Sequence, residues 1–179
     1  YWYPVWLCYP AGMLPDSKVV DAPPHKISIE QTVAMADSFE LLVLFTSTPG
    51  LPVDIRMAEM MKDRNPKLKV AFVGPPVTVE PEKVLNLSSA VDFVVRKEFD
   101  TQIVDFANGK PLDEIPGVSF RANGGFVHNK EASPIENLDE MPWVTKVYKR
   151  DLDISRYNVP FLLNPFISLY TSRGCPAMC

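Results

Sequence analysis

Glu40-Leu41-Leu42-Val43-Leu44-Phe45-Thr46, followed at once by Ser47-Thr48-Pro49-Gly50, decides the fold of this 179-residue chain. The run has strand length and is apolar without alternation, which fits a strand covered on both faces, as in a parallel sheet. The hydroxyls, proline and glycine behind it end the strand and turn the chain.

The same order repeats downstream. Val53 to Lys62 has the spacing of an amphipathic helix ending near Asn65-Pro66. Leu68 to Val73 is a strand that stops at Gly74-Pro75-Pro76, and a helix begins around Glu80-Pro81-Glu82, where proline is tolerated in the first turn. Val91 to Val95 is a further strand, ending in Arg96-Lys97-Glu98, and a helix from Asp100 to Ala107 is stopped by Asn108-Gly109. Upstream, Lys18 to Pro24 reads as a short strand closed by a proline pair, and Ser28 caps a helix carrying Ile29, Val33 and Ala36 on one face. Strands alternating with helices at this spacing imply right-handed crossovers and a Rossmann-like α/β fold, an open parallel sheet with helices on both faces. Ligands of such sheets sit beyond the carboxyl ends of the strands. The loops at Pro23 to His25, Thr46 to Pro49, Gly74 to Pro76 and Arg96 to Glu98 are therefore expected to share one rim.

Past Pro111 the texture changes. Val118 to Arg121 and Phe126 to His128 flank Asn123-Gly124-Gly125, which signals a small β-hairpin appendage. Glu131 to Pro165 is rich in Pro, Asn and Asp with isolated aromatics and reads as a linker wrapping a neighbouring surface; Ile167 to Thr171 reads as the first strand of another domain. The expected division is a Rossmann-like domain over 1–110, hairpin and linker over 111–165, and the start of a second domain over 166–179.

Composition narrows the function classes. The apolar fraction of 46% supports a real core, and the net charge of -4, with basic residues scattered, gives no footprint for nucleic acid. No run approaches the roughly 18 apolar residues of a membrane span, and the start lacks signal-peptide features, so a cytoplasmic protein is expected. Three cysteines make no disulfide framework, and two of them close the chain in Arg173-Gly174-Cys175-Pro176-Ala177-Met178-Cys179. Soft thiolates a few residues apart on a glycine- and proline-flanked loop suit iron-sulfur or zinc chemistry. Cys8 is expected to be a small core residue, Met57, Met60 and Met61 to be packing, and His128 to be a solvated hairpin residue.

The terminal motif resembles the start of the radical S-adenosylmethionine motif, whose three cysteines are spaced by three and then two residues. On that resemblance Cys175 and Cys179 are metal ligands, a third cysteine follows them, and the chain is the amino-terminal piece of a larger enzyme that is not catalytic by itself. The full-length protein would carry a [4Fe-4S] cluster and S-adenosylmethionine. Residues Tyr1 to Asn108 are similar to the cobalamin-binding domains that precede the radical barrel in a large subgroup, through Ser47-Thr48-Pro49, Gly74-Pro75-Pro76 and Asp92 to Glu98. The resemblance implies cobalamin as ligand, held by Thr46, Ser47, Thr48, Pro49, Gly74, Pro75, Arg96 and Glu98. Short hydroxyls at a strand end suit a corrin amide or nucleotide tail, and a glycine suits close approach of a flat ring. The Asp-x-His-x-x-Gly signature of His-ligated cobalt is absent, although His25 stands on one of the four loops, and Trp2, Tyr3 and Trp6 are candidates to cover the corrin edge or to bury an inter-domain gap. More narrowly, Tyr1 to Leu7, Pro10 to Leu14 and Asp21 to His25 resemble a hopanoid-biosynthesis-associated branch, which implies a lipid-like substrate. Tetrapyrrole-type cyclases or methyltransferases, and a non-catalytic Rossmann-like ligand-binding module, are the alternative readings.

Overall fold

The computed structural model describes residues 1–174, so the expected metal ligands Cys175 and Cys179 lie outside the described residues. Its helices are α1 (Val5–Met13), α2 (Ala22–His25), α3 (Ile29–Ala34), α4 (Leu51–Arg64), α5 (Pro75–Val79), α6 (Pro81–Leu87), α7 (Asp100–Ala107) and α8 (Val144–Asp151). The strands are β1 (Leu41–Phe45), β2 (Lys69–Val73), β3 (Phe93–Val95), β4 (Val118–Ala122) and β5 (Gly125–His128), in that spatial order in one sheet. The chain divides into two compact units, one of Ile27–Ala132 and one of Tyr1–Lys26 with the chain from Ser133 onward.

The sheet unit is an open Rossmann-like α/β arrangement. Strands β1, β2 and β3 are parallel, with Leu42 opposite Val70 and Phe72 opposite Val94. One face of each strand, through Leu42, Leu44, Val70, Phe72 and Val94, packs with Ile55, Ala58 and Met61 of α4 and Val84 and Leu85 of α6. The other face carries Phe93, whose ring lies 4.5 Å from that of Phe106 on α7. Successive side chains of a strand point to opposite faces, so a strand covered on both sides must be apolar, as β3 is throughout and β2 is from Val70 to Val73. α3 begins at a capping box: the Ser28 hydroxyl accepts from Gln31 N–H at 3.2 Å, and Ser28 N–H donates to Gln31 Oε1 at 2.8 Å.

The hairpin is not an appendage. β4 pairs antiparallel with β3, Val95 opposite Val118, and β5 pairs with β4, so the two strands extend the same sheet and make it mixed. Val118 and Ser119 are fully buried, and the gain in covering the free edge of β3 is what brings them in. The turn itself is as the sequence requires, with Asn123 and Gly124 both at positive φ between Ala122 and Gly125.

The other unit departs further from expectation. Lys18 to Asp21 forms no strand; Val19 N–H donates instead to the Asp151 carboxylate at 2.8 Å, and Ala22-Pro23-Pro24-His25 forms the one-turn α2, with proline in the first turn where no amide is needed. The expected linker contains α8, whose Val144, Val147 and Tyr148 are buried with Val5, Cys8 and Tyr9 of α1. Tyr1 to Lys26 packs with this helix in one compact unit. Ile167 to Thr171 is not a strand, having no partner strand among the described residues; Tyr148 Oη and Tyr3 Oη instead donate to the carbonyls of Ser168 and Phe166, at 2.9 and 3.0 Å.

Candidate functional site

The carboxyl ends of β1, β2 and β3 lie side by side because the three strands are parallel and in register. Thr46, at the end of β1, is fully buried, and its N–H donates to Val73 O at 2.9 Å, continuing the ladder by one residue. Gly74 follows Val73 with φ of 113°, and a Cβ placed there would stand 2.3 Å from Thr46 O. Only glycine combines that backbone with that approach, so the first two loops are locked together by the absence of a side chain. Ser47 opens α4: its carbonyl accepts from Leu51 N–H at 2.9 Å and its hydroxyl from Gly50 N–H at 3.2 Å.

The sequence-predicted residues thus sort into two layers. Thr46 and Gly74 are buried and hold the rim together, while Ser47, Thr48, Pro49 and Pro75 are exposed on it. Phe45 adds an apolar surface, 38% exposed, with its ring 6.2 Å from that of Phe99. Asp54, in the first turn of α4, was not singled out by sequence reading. Burial pushes its carboxyl above the usual carboxylate range, against a hydrogen bond from the Thr46 hydroxyl that pulls it down.

The third loop is differently built. Arg96 N–H donates to Gly117 O at 3.0 Å, its Nε to the same carbonyl at 3.3 Å, and its guanidinium also reaches Asn129 O. Its charge is therefore spent on bracing the start of β4 and the end of β5. Lys97 stands at φ 61° and pairs with Glu131 at 2.7 Å; Glu98 is half-buried. The signal for Arg96 was its place at a strand end, which does not distinguish a ligand contact from a tie between neighbouring strands.

His25 belongs to the other unit, and the other three expected loops lie in the sheet unit. Its Nε2 accepts from Asp153 N–H at 2.8 Å, which leaves the proton on Nδ1 to donate to Asp21 O at 2.8 Å. Tyr3 is stacked between Tyr148 and Tyr157, at 4.5 and 4.1 Å, and Trp6 stacks on Tyr170, so these aromatics serve the packing of their own unit. Cys8 is fully buried there, as expected of a core residue; burial foremost pushes its thiol up to about 12. His128 is not merely solvated: it bridges Ser119 Oγ and Glu82 Oε1, each at 2.9 Å. The three resemble a hydrolytic triad, but Ser119 is fully buried and out of reach of a substrate. A shallow depression lined by Asn86 and Arg121 to Phe126 lies at the hairpin tip, beside the amino ends of the parallel strands and so at the opposite end of the sheet from the rim.

Parallel strands ending in small hydroxyls, a strictly required glycine and an exposed apolar edge define the class: an open α/β domain of the kind whose ligands sit at the strand ends. The B12 binding domain family matches residues 1–107, and the chain belongs to that family. The match contains all three rim loops. Among curated proteins it is similar to an uncharacterized methyltransferase of Pyrococcus horikoshii, 30% identical over 98% of this chain and 39% of that protein. It is also similar to the anaerobic magnesium-protoporphyrin IX monomethyl ester cyclase of a Synechocystis strain, 24% identical over 94% of this chain and 32% of that one. The chain thus spans between about a third and two fifths of these relatives' length. The radical S-adenosylmethionine methyltransferase TsrM of Kitasatospora setae, solved with cobalamin and a [4Fe-4S] cluster, shares the fold with a TM-score of 0.59, 12% identity, and coverage of 79% of this chain and 29% of that one. The cobalamin-dependent S-adenosylmethionine radical enzyme OxsB does so with a TM-score of 0.54, 16% identity, and coverage of 64% and 17%. Among the described residues no helix is long and apolar enough to cross a membrane.

Proposed function

We propose that this chain is the cobalamin-holding portion of a cytoplasmic B12-dependent radical S-adenosylmethionine enzyme. The observation that carries the reading is the family match over residues 1–107, which falls on a rim whose exposed groups suit the ligand. A corrin is a flat apolar ring edged with amides. Phe45, Pro49 and Pro75 offer it apolar surface, and the hydroxyls of Ser47 and Thr48 can donate to and accept from its amides. Thr46 and Gly74 act behind them, fixing the distance between the first two loops. Arg96 and Glu98 are assigned to the third side of the rim, Arg96 through backbone placement, since its guanidinium is engaged elsewhere.

Cobalamin supplies the organometallic chemistry when bound, and this portion of the enzyme positions it. Cys175 and Cys179 are assigned as two of three thiolates for a [4Fe-4S] cluster that works with S-adenosylmethionine, and the division at about residues 110 and 165 is proposed as the order of cobalamin domain, connection and radical domain. Within that class, the narrower proposal is remodelling of a hopanoid head group, supported by the aromatic opening segment. The names of the two sequence relatives support methyl transfer and tetrapyrrole cyclisation as competing reactions.

Titration of the 179-residue chain with hydroxocobalamin, followed by the visible spectrum and by retention on filtration, tests the core of the proposal. Co-retention with a shifted spectrum is expected; an unchanged spectrum without retention refutes it. The radical assignment fails if the longer protein does not carry a cysteine separated from Cys179 by two residues.

A further inference from the structure

Thr78, on α5, lies between two loops of the rim and was not marked by any sequence signal. Its hydroxyl donates to Gly74 O at 3.3 Å and accepts from Lys97 N–H at 2.9 Å. One side chain therefore closes a path from β2 to β3 at their carboxyl ends. The path continues to β1, because Gly74 packs its Cα against Thr46 O and Thr46 N–H bonds Val73 O.

The two bonds differ in what they hold. The bond to Gly74 O is the back-bond that a threonine makes to the carbonyl four residues earlier, and alone it says little. The bond from Lys97 N–H has no such local explanation, since nineteen residues separate the pair. Lys97 sits at φ 61°, in the left-handed region that a residue with a side chain adopts only when its surroundings impose it. Its side chain is tied to Glu131 at 2.7 Å, but that pair is exposed on both sides and weakly constraining. The hydrogen bond from Lys97 N–H to the Thr78 hydroxyl is a constraint that acts on the backbone itself, and it sets where Lys97 and its neighbour Glu98 stand relative to Gly74 and Pro75.

We propose that Thr78 is a positioning residue of the ligand rim, whose hydroxyl holds the Gly74–Pro75 loop and the Arg96–Glu98 loop as one preformed surface for cobalamin. The inference rests on the cobalamin reading above and adds to it a residue that need not touch the ligand. A rim preformed in this way binds without having to order its loops first, and loss of the staple moves that ordering cost into the binding step.

The test compares the 179-residue chain with its Thr78→Val and Thr78→Ser variants in hydroxocobalamin titrations, with amide hydrogen exchange at Lys97 followed in each. Valine keeps the shape and removes both bonds; serine keeps the hydroxyl. The expected result is an affinity about tenfold weaker for Thr78→Val and within about twofold of the parent for Thr78→Ser. Faster Lys97 exchange in Thr78→Val alone is expected with it. Equal affinities for parent and Thr78→Val overturn the proposal, as does a loss that serine fails to restore or a Lys97 amide that stays protected. If Thr78→Val does not fold, Thr78→Ala makes the same comparison with the same two readouts. Absence of binding by the parent chain overturns the cobalamin reading itself, and is distinguished from failure of the staple by being independent of Thr78.

Discussion

Replacing Gly74 by alanine strikes the close backbone contact that joins the first two loops of the rim. The new Cβ would lie 2.3 Å from Thr46 O, and ordinary contact begins near 3.4 Å, so the two strand ends must part. They cannot part freely, because Thr46 N–H is bonded to Val73 O at 2.9 Å on the same side. Holding an alanine at φ 113° costs about 1–3 kcal/mol. Forcing a methyl into backbone that has no room adds about 1–3 kcal/mol more. Gly74→Ala should therefore destabilise the chain by about 2–6 kcal/mol, a large share of the roughly 5–15 kcal/mol that a domain has. Urea unfolding followed by circular dichroism measures it, with a fall of about 1–3 M in midpoint at unchanged slope. Gly125→Ala is the control, because nothing lies within 4 Å of its Cβ and its φ is not positive; it should stay within about 0.5 kcal/mol of the parent. Cooperative unfolding of Gly74→Ala within about 1 kcal/mol of the parent would refute the claim that the close approach to Thr46 is built in.

Two further outcomes follow from the packing. The guanidinium of Arg121 meets the carbonyls of Leu85, Ser88, Ser89 and Val91, closing the end of α6 and the entry to β3. Arg121→Met keeps most of the stem and strands those acceptors, so a loss of about 2–4 kcal/mol is expected in the same unfolding assay, and Arg121→Lys should recover only part, since an ammonium cannot fork. Cys8 should resist iodoacetamide in the native chain at pH 8 and react only on unfolding, as read by mass spectrometry of its peptide, because burial pushes its thiol from 9.0 up to about 12. The sign of the linked pH effect is fixed. The thiol ionises more easily in the unfolded chain, so its contribution to stability is complete below pH 9.0 and is lost as pH rises towards about 12, and the melting temperature should fall across that window.

Legibility differed between the two units. The sequence pattern found β1, β2, β3, α4 and α7 in the sheet unit to within a few residues, because β2 and β3 are buried by their own neighbours and each helix is half-covered; β1 is apolar too but, as the edge strand, is only half-buried and not covered on both faces as its sequence led one to expect. Asn123-Gly124 gave the hairpin but not its berth beside β3, since a turn signal is local and the choice of sheet edge is not. The other unit was harder to read because its sequence signals are weak: Val19-Val20 before Pro23-Pro24 looks like a strand end, and Pro142 among scattered aromatics looks like a linker. Its helices α1 and α8 lie well over a hundred residues apart, and neither shows by itself that it has a partner.

What the sequence by itself determined is the chemistry that each strand end carries. Apolar runs without alternation suit the strands of a parallel sheet, and Thr46-Ser47-Thr48-Pro49 and Gly74-Pro75-Pro76 follow directly on two of them. The tertiary structure alone decided which of those residues support the rim and which face outward. It buried Thr46, made Gly74 obligatory through a carbonyl twenty-eight residues earlier, turned Arg96 inward to its neighbouring strands, and brought Thr78 between two loops. The physical reason is that a covered strand is specified by its own composition, whereas a hydrogen bond or a close contact between strand ends depends on register, which only the assembled sheet sets.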